Sequence, residues 1–272
     1  MQYPVSVQIC TLNSAGTLRG CIEAVQANCA AEIIVIDGGS VDHSIAIANE
    51  SGASVIHAGR VGLAQQRRLG FEATNLPYIA VVDADDRIDR DWIAAMLEIL
   101  ELGGYAALQG CLRTPEPRNW LSRSWDAYFQ ETVRPIPDTH MVGRPALYRS
   151  SALRKLPTDA YVHSMIEDTF ISRQFEQLGL RQGIAAPLSY RSVPGTWREN
   201  LEKWQRYGHG YRRFVQDDPG SRNRILKHLL WTIPVKRSIG PLRSGFVTYP
   251  VFAASRSFMS VLGYLGLGRK II

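Results

Sequence analysis

Apolar residues recur along this chain with two alternating periods. Val5-Ser6-Val7-Gln8-Ile9-Cys10 alternates as a strand does, and after Thr11-Leu12-Asn13-Ser14 the apolar positions Leu18, Cys21, Ile22 and Val25 follow a helical spacing. Glu32 to Ile36 is a second, buried strand closing on Asp37-Gly38-Gly39-Ser40-Val41-Asp42, where Ser40 or Asp42 caps a helix through Ile45, Ala46 and Ala48. Ser54 to His57 makes a short third strand, and Gly62 to Gly70 opens another helix. Ile79 to Val82, preceded by Pro77-Tyr78, reads as a fully buried strand. Trp92, Ile93, Met96, Leu97 and Leu100 mark a helix face that ends at Gly103-Gly104, and Tyr105 to Cys111 is a fifth strand. Gly143 to Arg149 is a further strand, and a helix starts at Ile166 and stops at Gly179. Strands alternating with helices of this length predict an α/β fold with a mostly parallel, Rossmann-like doubly wound sheet flanked by helices.

That topology gives the polar strand ends a common address. Open α/β sheets bind ligands at the carboxyl ends of their strands, so the loops at Thr11, Asp37 and Asp83 are expected to emerge along one edge. The last of these is Asp83-Ala84-Asp85-Asp86, three carboxylates in four residues. Crowded carboxylates repel one another, and a hard divalent cation relieves the repulsion. A nucleotide with a metal needs this set: one acid for base or ribose hydroxyls, another for a cation bridging two phosphates. A plain helix cap before Asp89-Arg90-Asp91-Trp92 is the competing reading of Asp-x-Asp. No GxGxxG or GxxxxGK[ST] follows the first strand, which disfavours a dinucleotide site or a P-loop. Glu167-Asp168, at a helix start, either complements the helix dipole or supplies a general base.

Composition adds an asymmetry. The chain has 272 residues, enough for one substantial core, with a net charge of +6. Residues 191 to 272 carry 15 Lys/Arg against 4 Asp/Glu, a net +11, against −5 for the rest. A basic segment interleaved with apolar stretches points to an anionic membrane surface or a phosphate-bearing partner, with nucleic acid the competing polyanion. From Ile225 onward, Leu229-Leu230-Trp231, Lys236-Arg237, Arg243 and the stretch from Phe246 to Leu267 alternate apolar runs with cations. Pro234, Pro241 and Pro250 interrupt them, so helices lying in a membrane interface are expected rather than a spanning helix; a tail folded onto the preceding domain is the alternative. No basic and apolar leader precedes the first strand, so a cytoplasmic protein, peripheral on the inner face of the cell membrane, is expected. Cys10, Cys21, Cys29 and Cys111 show no CxxC spacing and read as reduced thiols.

Two segments carry aromatics. Trp120, Leu121, Trp125, Tyr128 and Phe129, between Pro117 and Pro135, form an amphipathic piece that either buries its rings in a core or offers a sugar-stacking or membrane-facing surface. Trp197 to Arg213 is a helix-like segment rich in Arg and aromatics, in which Arg206, His209 or Arg212 could contact a donor or acceptor diphosphate.

In order and spacing, these segments resemble family 2 glycosyltransferases, the inverting group with the GT-A fold, including those that build bacterial surface polysaccharides. The resemblance runs from Val5 to about Arg213 and is carried by Thr11-Leu12-Asn13, Glu32 to Asp42, Gly62-Leu63-Ala64 with Arg67, Asp83-Ala84-Asp85-Asp86 as the DxD motif, Tyr148-Arg149, and Glu167-Asp168 as the ED motif. It implies that Thr11, Asn13 and Asp37 hold the nucleotide, Arg67 leans on the donor, Asp83 lies near the ribose and Asp85 coordinates Mg2+ or Mn2+ on the diphosphate. Asp168, beside Glu167, matches the catalytic base. Arg68 stands where the family often has Asn, and Leu12-Asn13 lacks an aromatic for the base; a UDP-sugar is the expected donor. Trp204-Gln205-Arg206 only partly echoes the QxxRW motif of processive enzymes, which favours transfer of one sugar per encounter.

The expected organisation is a GT-A domain over 1–218, with a nucleotide-sugar half at 1–111 and an acceptor half at 112–218, then a basic, apolar membrane-associating tail at 219–272. The expected partners are a nucleotide diphosphate sugar, a saccharide or polyprenyl-linked acceptor and an anionic membrane surface, and not nucleic acid. A metal-dependent sugar nucleotidyltransferase and a non-catalytic basic module binding nucleic acid or membrane are the alternatives. The first lacks its glycine-rich loop after strand one, and the second leaves the acidic motifs unexplained.

Overall fold

The computed structural model describes residues 2–157, 167–234, 238–243 and 248–267. The expected helix start at Ile166, and Lys236, Arg237 and Phe246 of the tail, lie outside the described residues. Contacts divide the chain into two compact units, the first formed by Met1–Arg113, Arg134–His163 and Glu167–Ser192, the second by Thr114–Val133, Ser164–Ile166 and Val193–Ile272. These boundaries differ from the division at 218 read from the sequence.

The first unit is built on strands β1 (Tyr3–Thr11), β2 (Ala30–Asp37), β3 (Ser54–His57), β4 (Tyr78–Asp83), β5 (Asp86–Ile88), β6 (Ala107–Arg113), β7 (Ala146–Arg149) and β8 (Gln182–Arg191). Its helices are α1 (Ala15–Gln26), α2 (Ser44–Glu50), α3 (Leu63–Glu72), α4 (Trp92–Leu102), α6 (Ser150–Leu153) and α7 (Glu167–Gln177), α5 belonging to the second unit. The sheet order is β3-β2-β1-β4-β7-β6-β8-β5. β7 is antiparallel to both neighbours and β5 is antiparallel to β8, while every other pairing is parallel, so six strands share one direction. β5 and β8 were not read from the sequence.

The apolar runs fill both faces of this sheet. Ala80 and Val82 of β4 face Ile22 of α1 and Ile93 and Met96 of α4, while Ile79 and Val81 face Ile171 and Phe175 of α7. The alternation in β1 has an unexpected outcome, because its polar members are also buried: Ser6 and Gln8 are 0% exposed. Gln8 donates to the Gly70 carbonyl of α3, and a Cβ at Gly70 would come within 2.6 Å of Gln8 Oε1. Glycine there lets α3 approach the sheet and brings Arg67 down onto it.

The second unit contains α5 (Trp120–Thr132), α8 (Trp197–Asp217), α9 (Arg222–Lys227), a π-helical turn (His228–Thr232), α10 (Ile239–Arg243) and α11 (Tyr249–Tyr264). Reciprocal capping boxes, Asn119 with Ser122 and Thr196 with Glu199, start α5 and α8. α8 and α11 meet backbone to backbone: a Cβ on Gly208 would lie 2.0 Å from the Ser260 carbonyl, and one on Gly263 2.2 Å from that of Gln205. Trp125, Phe129, Trp204 and Phe252 are buried together, and Trp125 Nε1 donates to Asn200 Oδ1 at 2.6 Å. The core reading therefore holds for Trp125 and Phe129, whereas Trp120 keeps 40% of its surface and rests on Trp197. No described helix is long and apolar enough to cross a membrane.

Candidate active site

Strand register sets the site. Thr11 pairs with Asp37 across β1 and β2, and Cys10 with Asp83 across β1 and β4, which places all three polar strand ends on one edge of the sheet. Because β8 runs the same way, its last residue, Arg191, arrives at that edge. Because β7 runs the opposite way, the residue two before its start, Arg144, arrives there too.

Around Thr11 the two first loops are sewn together. Asn13 adopts a left-handed conformation (φ 52°), its N–H donates to Ser40 Oγ at 2.9 Å and its Oδ1 accepts from Val41 N–H at 2.9 Å. Ser14 N–H donates to Ser44 Oγ and Ala15 N–H to Asp42 Oδ2. Asp37, 2% exposed, accepts from the N–H groups of Gly39 and Ser40, and Gly39 provides the positive φ that this turn needs. Thr11 is equally buried, and its Oγ1 has no hydrogen-bond partner among the described residues.

The acidic groups gather around three guanidiniums. Asp83 accepts from Arg67, from Arg144 Nε at 3.0 Å and from Arg191 Nη2 at 2.8 Å. Asp86, fully buried, grips Arg191 in a two-pronged pair at 2.7 and 2.6 Å. Arg144 continues the network to Glu167 Oε1 at 2.6 Å and to Asp168 Oδ2 at 3.6 Å. Arg67, expected to lean on the donor, is 1% exposed and spends its contacts on Asp83 and Glu167, so any reach to a donor runs through Asp83. Neither Arg144 nor Arg191 was singled out from the sequence. Arg206, on α8 of the second unit, is exposed.

Burial alone would raise the Asp83 carboxyl, but Arg144, Arg191 and Arg67 together hold it below the usual carboxylate range. Asp86 behaves oppositely: burial, aided by the charges of Asp85 and Asp83, pushes it up to about 6 against the pull of Arg191. Burial likewise raises Glu167, with Arg144 opposing.

The adjacent acids of each motif are thereby sorted. Glu167 is 1% exposed and tied to Arg144, while Asp168 keeps 22% of its side chain open. Asp86 is sealed on Arg191, while Asp85 is 38% exposed and lies 3.9 Å from Arg191 Nε. Carboxylate oxygens of Asp83, Asp85 and Asp86 lie within 4.8 Å of one another, an all-oxygen set suited to a hard cation such as Mg2+ or Mn2+. Asp86 is committed to Arg191 and both oxygens of Asp83 accept from arginines, which leaves Asp85 the most open of the three.

Comparison with known proteins identifies the family. The family model described as glycosyl transferase family 2 matches residues 6–157. EpsH of Bacillus subtilis (strain 168) is 30% identical over 175 residues, 61% of this chain and 49% of EpsH. The lipopolysaccharide core biosynthesis glycosyltransferase LpsC of Rhizobium meliloti (strain 1021) is 31% identical over 108 residues, 36% of this chain and 38% of LpsC. The chain thus spans about half or less of the curated relatives it matches. Among solved structures, glucosyl-3-phosphoglycerate synthase from Mycobacterium tuberculosis, in complex with Mn2+, uridine diphosphate and glucosyl-3-phosphoglycerate, superposes with a TM-score of 0.58 at 18% identity, over 78% of this chain and 79% of that one. TarS 1–349 of S. aureus, in complex with UDP-GlcNAc, gives 0.57 at 12% identity, over 99% and 93%. At such identities the likeness is one of fold. With the family model covering more than half of its length, and its motifs gathered on one sheet edge, the chain belongs to glycosyl transferase family 2.

Proposed function

We propose that the first unit moves one sugar from a nucleoside diphosphate sugar to a hydroxyl of a saccharide acceptor, with inversion, in cell-envelope polysaccharide synthesis. The observation that carries this reading is the sorting of five carboxyl groups by three guanidiniums, which leaves Asp85 and Asp168 open on either side of Asp83. Thr11, with its unpartnered Oγ1, Asn13 and Asp37 bind the nucleotide in a preformed loop pair. The Mn2+ and uridine diphosphate bound by the mycobacterial synthase, and the UDP-GlcNAc bound by TarS, favour uridine here. Asp85 and Asp83 would hold Mg2+ or Mn2+, which when bound neutralises charge developing on the departing diphosphate.

Asp168 takes the proton of the attacking hydroxyl, which is too weak an acid to ionise by itself. Arg144 fixes that carboxylate beside Asp83, and Glu167 fixes Arg144. A covalent, retaining route needs a second carboxylate at the sugar carbon, and Glu167, the neighbouring acid, is sealed and paired. That supports a single displacement. A nucleotidyltransferase would want a glycine-rich loop after β1, where the chain has Leu12-Asn13-Ser14. The lengths and names of EpsH and LpsC leave the acceptor open; we favour a saccharide on a polyprenyl carrier. Asp168→Asn is expected to lower transfer by about 10²-fold or more while UDP binding survives. Unchanged turnover in that variant removes Asp168 from the role of base.

A further inference from the structure

α11 turns its polar residues inward and an apolar face outward. Its inner face packs on α8 through Gly263 and Ser260, and its one charged residue, Arg256, is turned inward. The Arg256 guanidinium lies 4.1 Å from the Tyr128 ring centroid and 5.5 Å from that of Trp125, with the residue 5% exposed. The outer face holds Val251, Ala254, Phe258 and Leu262, with Leu265 just past the helix end; at about 100° per residue these fall within an arc of about 80°. Val251, Phe258 and Leu265 are 58%, 63% and 58% exposed. The π-helical turn packs on α11, where Ser257 Oγ donates to the Leu229 carbonyl, and leaves its own Leu230 and Trp231 60% and 55% exposed. Scattered exposed apolar residues need no explanation, but a continuous uncharged stripe does.

The charge of the surrounding sequence bears on what covers it. Residues 219 to 272 contain no Asp or Glu and nine Lys or Arg; of these Arg256 is buried, while Arg222, Arg224 and Lys227 of α9, next to the π-helical turn, are exposed. Cations beside aliphatic side chains match a surface that is anionic outside and hydrocarbon beneath. Nucleic acid would meet the cations and could stack on Phe258 and Trp231, but it gains nothing from Val251, Ala254, Leu230, Leu262 and Leu265, which make up most of the face and which a hydrocarbon layer would bury. At 16 residues α11 is about 24 Å long, shorter than the roughly 30 Å hydrocarbon core, so it lies along a bilayer rather than through it.

We propose that this face is a lipid dock, in which the outer stripe of α11 with Leu230 and Trp231 sinks into the headgroup and acyl boundary of an anionic bilayer while Arg222, Arg224 and Lys227 meet its phosphates. This makes the chain a peripheral membrane protein, as its sequence leads one to expect. The assignment does not depend on the transfer reaction, and its test reads lipid binding without turnover.

The experiment is flotation of the full chain with vesicles of phosphatidylcholine alone or mixed with phosphatidylglycerol. The wild type is expected to float with the mixed vesicles at low salt and to fall away as salt rises. Trp231→Glu and Phe258→Glu are each expected to weaken binding by about tenfold or more, the loss from one large apolar side chain. Replacing Arg222, Arg224 and Lys227 by Ala is expected to weaken it by about fivefold per residue and to flatten the salt dependence. Circular dichroism confirms that each variant is folded. Should Phe258→Glu not fold, a blue shift of tryptophan emission in the wild type on adding mixed vesicles, absent in Trp231→Phe, reads the same contact. A wild type that stays unbound at low salt overturns the proposal, as does a folded Trp231→Glu, Phe258→Glu double variant that floats like the wild type. A wild-type dimer that the double variant splits also overturns it and gives the face to a second copy.

Discussion

Replacing Arg191 by Met removes the guanidinium while keeping most of the side-chain volume. Asp86, with no exposed surface, then loses both prongs of its ion pair, and Asp83 loses one of its three cationic partners. Removing one member of a buried pair costs about 3–5 kcal/mol, because the other charge stays buried without compensation. Against a total stability of roughly 5–15 kcal/mol, that is a third or more in the middle of the range. The deficit depends on pH with a definite sign. The Asp86 carboxyl is raised to about 6 even with Arg191 present, above the ordinary unfolded value of about 3.9. A raised carboxyl contributes stability that is intact below the unfolded value and drains away as pH climbs through the folded one. Without Arg191 the folded value climbs further, so the variant's deficit is smallest near pH 4 to 5 and largest near pH 8. Urea unfolding followed by tryptophan fluorescence at about pH 5 and 8, with chelator present, measures it. Asp86→Asn in the same chain keeps an acceptor for the Asp83 N–H, a bond of 3.2 Å, and is expected to recover more than half of the loss. A single-variant deficit under about 1 kcal/mol at pH 8 would refute the reasoning, since it would mean that water reaches Asp86.

Other consequences follow from the same coordinates. Asp83 is held low by its arginines, so the stability it contributes is present above about pH 4 and lost as pH falls; the melting difference between wild type and Asp83→Asn is expected to shrink from pH 5 to pH 3. Gly208→Ala places a methyl against the Ser260 carbonyl, backbone that cannot yield, and is expected to destabilise the second unit by about 1–3 kcal/mol, read from its tryptophan-rich fluorescence. Asn13→Ala removes the clasp between the first two loops and is expected to raise KM for the donor several-fold with little change in melting temperature, measured by initial rates. Iodoacetamide at about pH 8 is expected to label Cys29, which is exposed, well before Cys10, whose thiol burial pushes up to about 11, or Cys21, which burial also holds well above the ordinary thiol value; mass spectrometry of the digests reads the order.

The edge that carries the chemistry was legible because buried parallel strands write themselves as apolar runs. Val5 to Cys10, Glu32 to Ile36 and Ile79 to Val82 each end on a polar residue, and the rule that ligands gather at carboxyl ends then brings Thr11, Asp37 and Asp83 together. Arg191 escaped notice because β8 gives a poor strand signal, with Gly183 and Pro187 inside it and a pattern of full burial followed by half exposure. Its partners stand over a hundred positions earlier in the chain. Arg144 escaped because an antiparallel strand inserted into a parallel sheet reverses which end reaches the site, and periodicity carries no direction. The pairs Asp85-Asp86 and Glu167-Asp168 show a further limit. Neighbouring acids are equivalent in a sequence, and only packing decides which is sealed on an arginine and which stays open. The resemblance implies that Arg67 leans on the donor, and periodicity alone does not show that Gly70 lets α3 sink until that guanidinium is enclosed.

In the proposed reaction Asp85, assisted by Asp83, brings a divalent cation to a nucleoside diphosphate, with Asp168 apart from that bond. Calorimetric titration of UDP into wild type, Asp85→Ala and Asp168→Asn, each with Mn2+ and again with chelator, tests this. Tight binding is expected only with Mn2+ in the wild type and in Asp168→Asn, with loss of the metal-dependent part in Asp85→Ala. Equal UDP binding with and without Mn2+, or an Asp85→Ala variant that binds like the wild type, would contradict it.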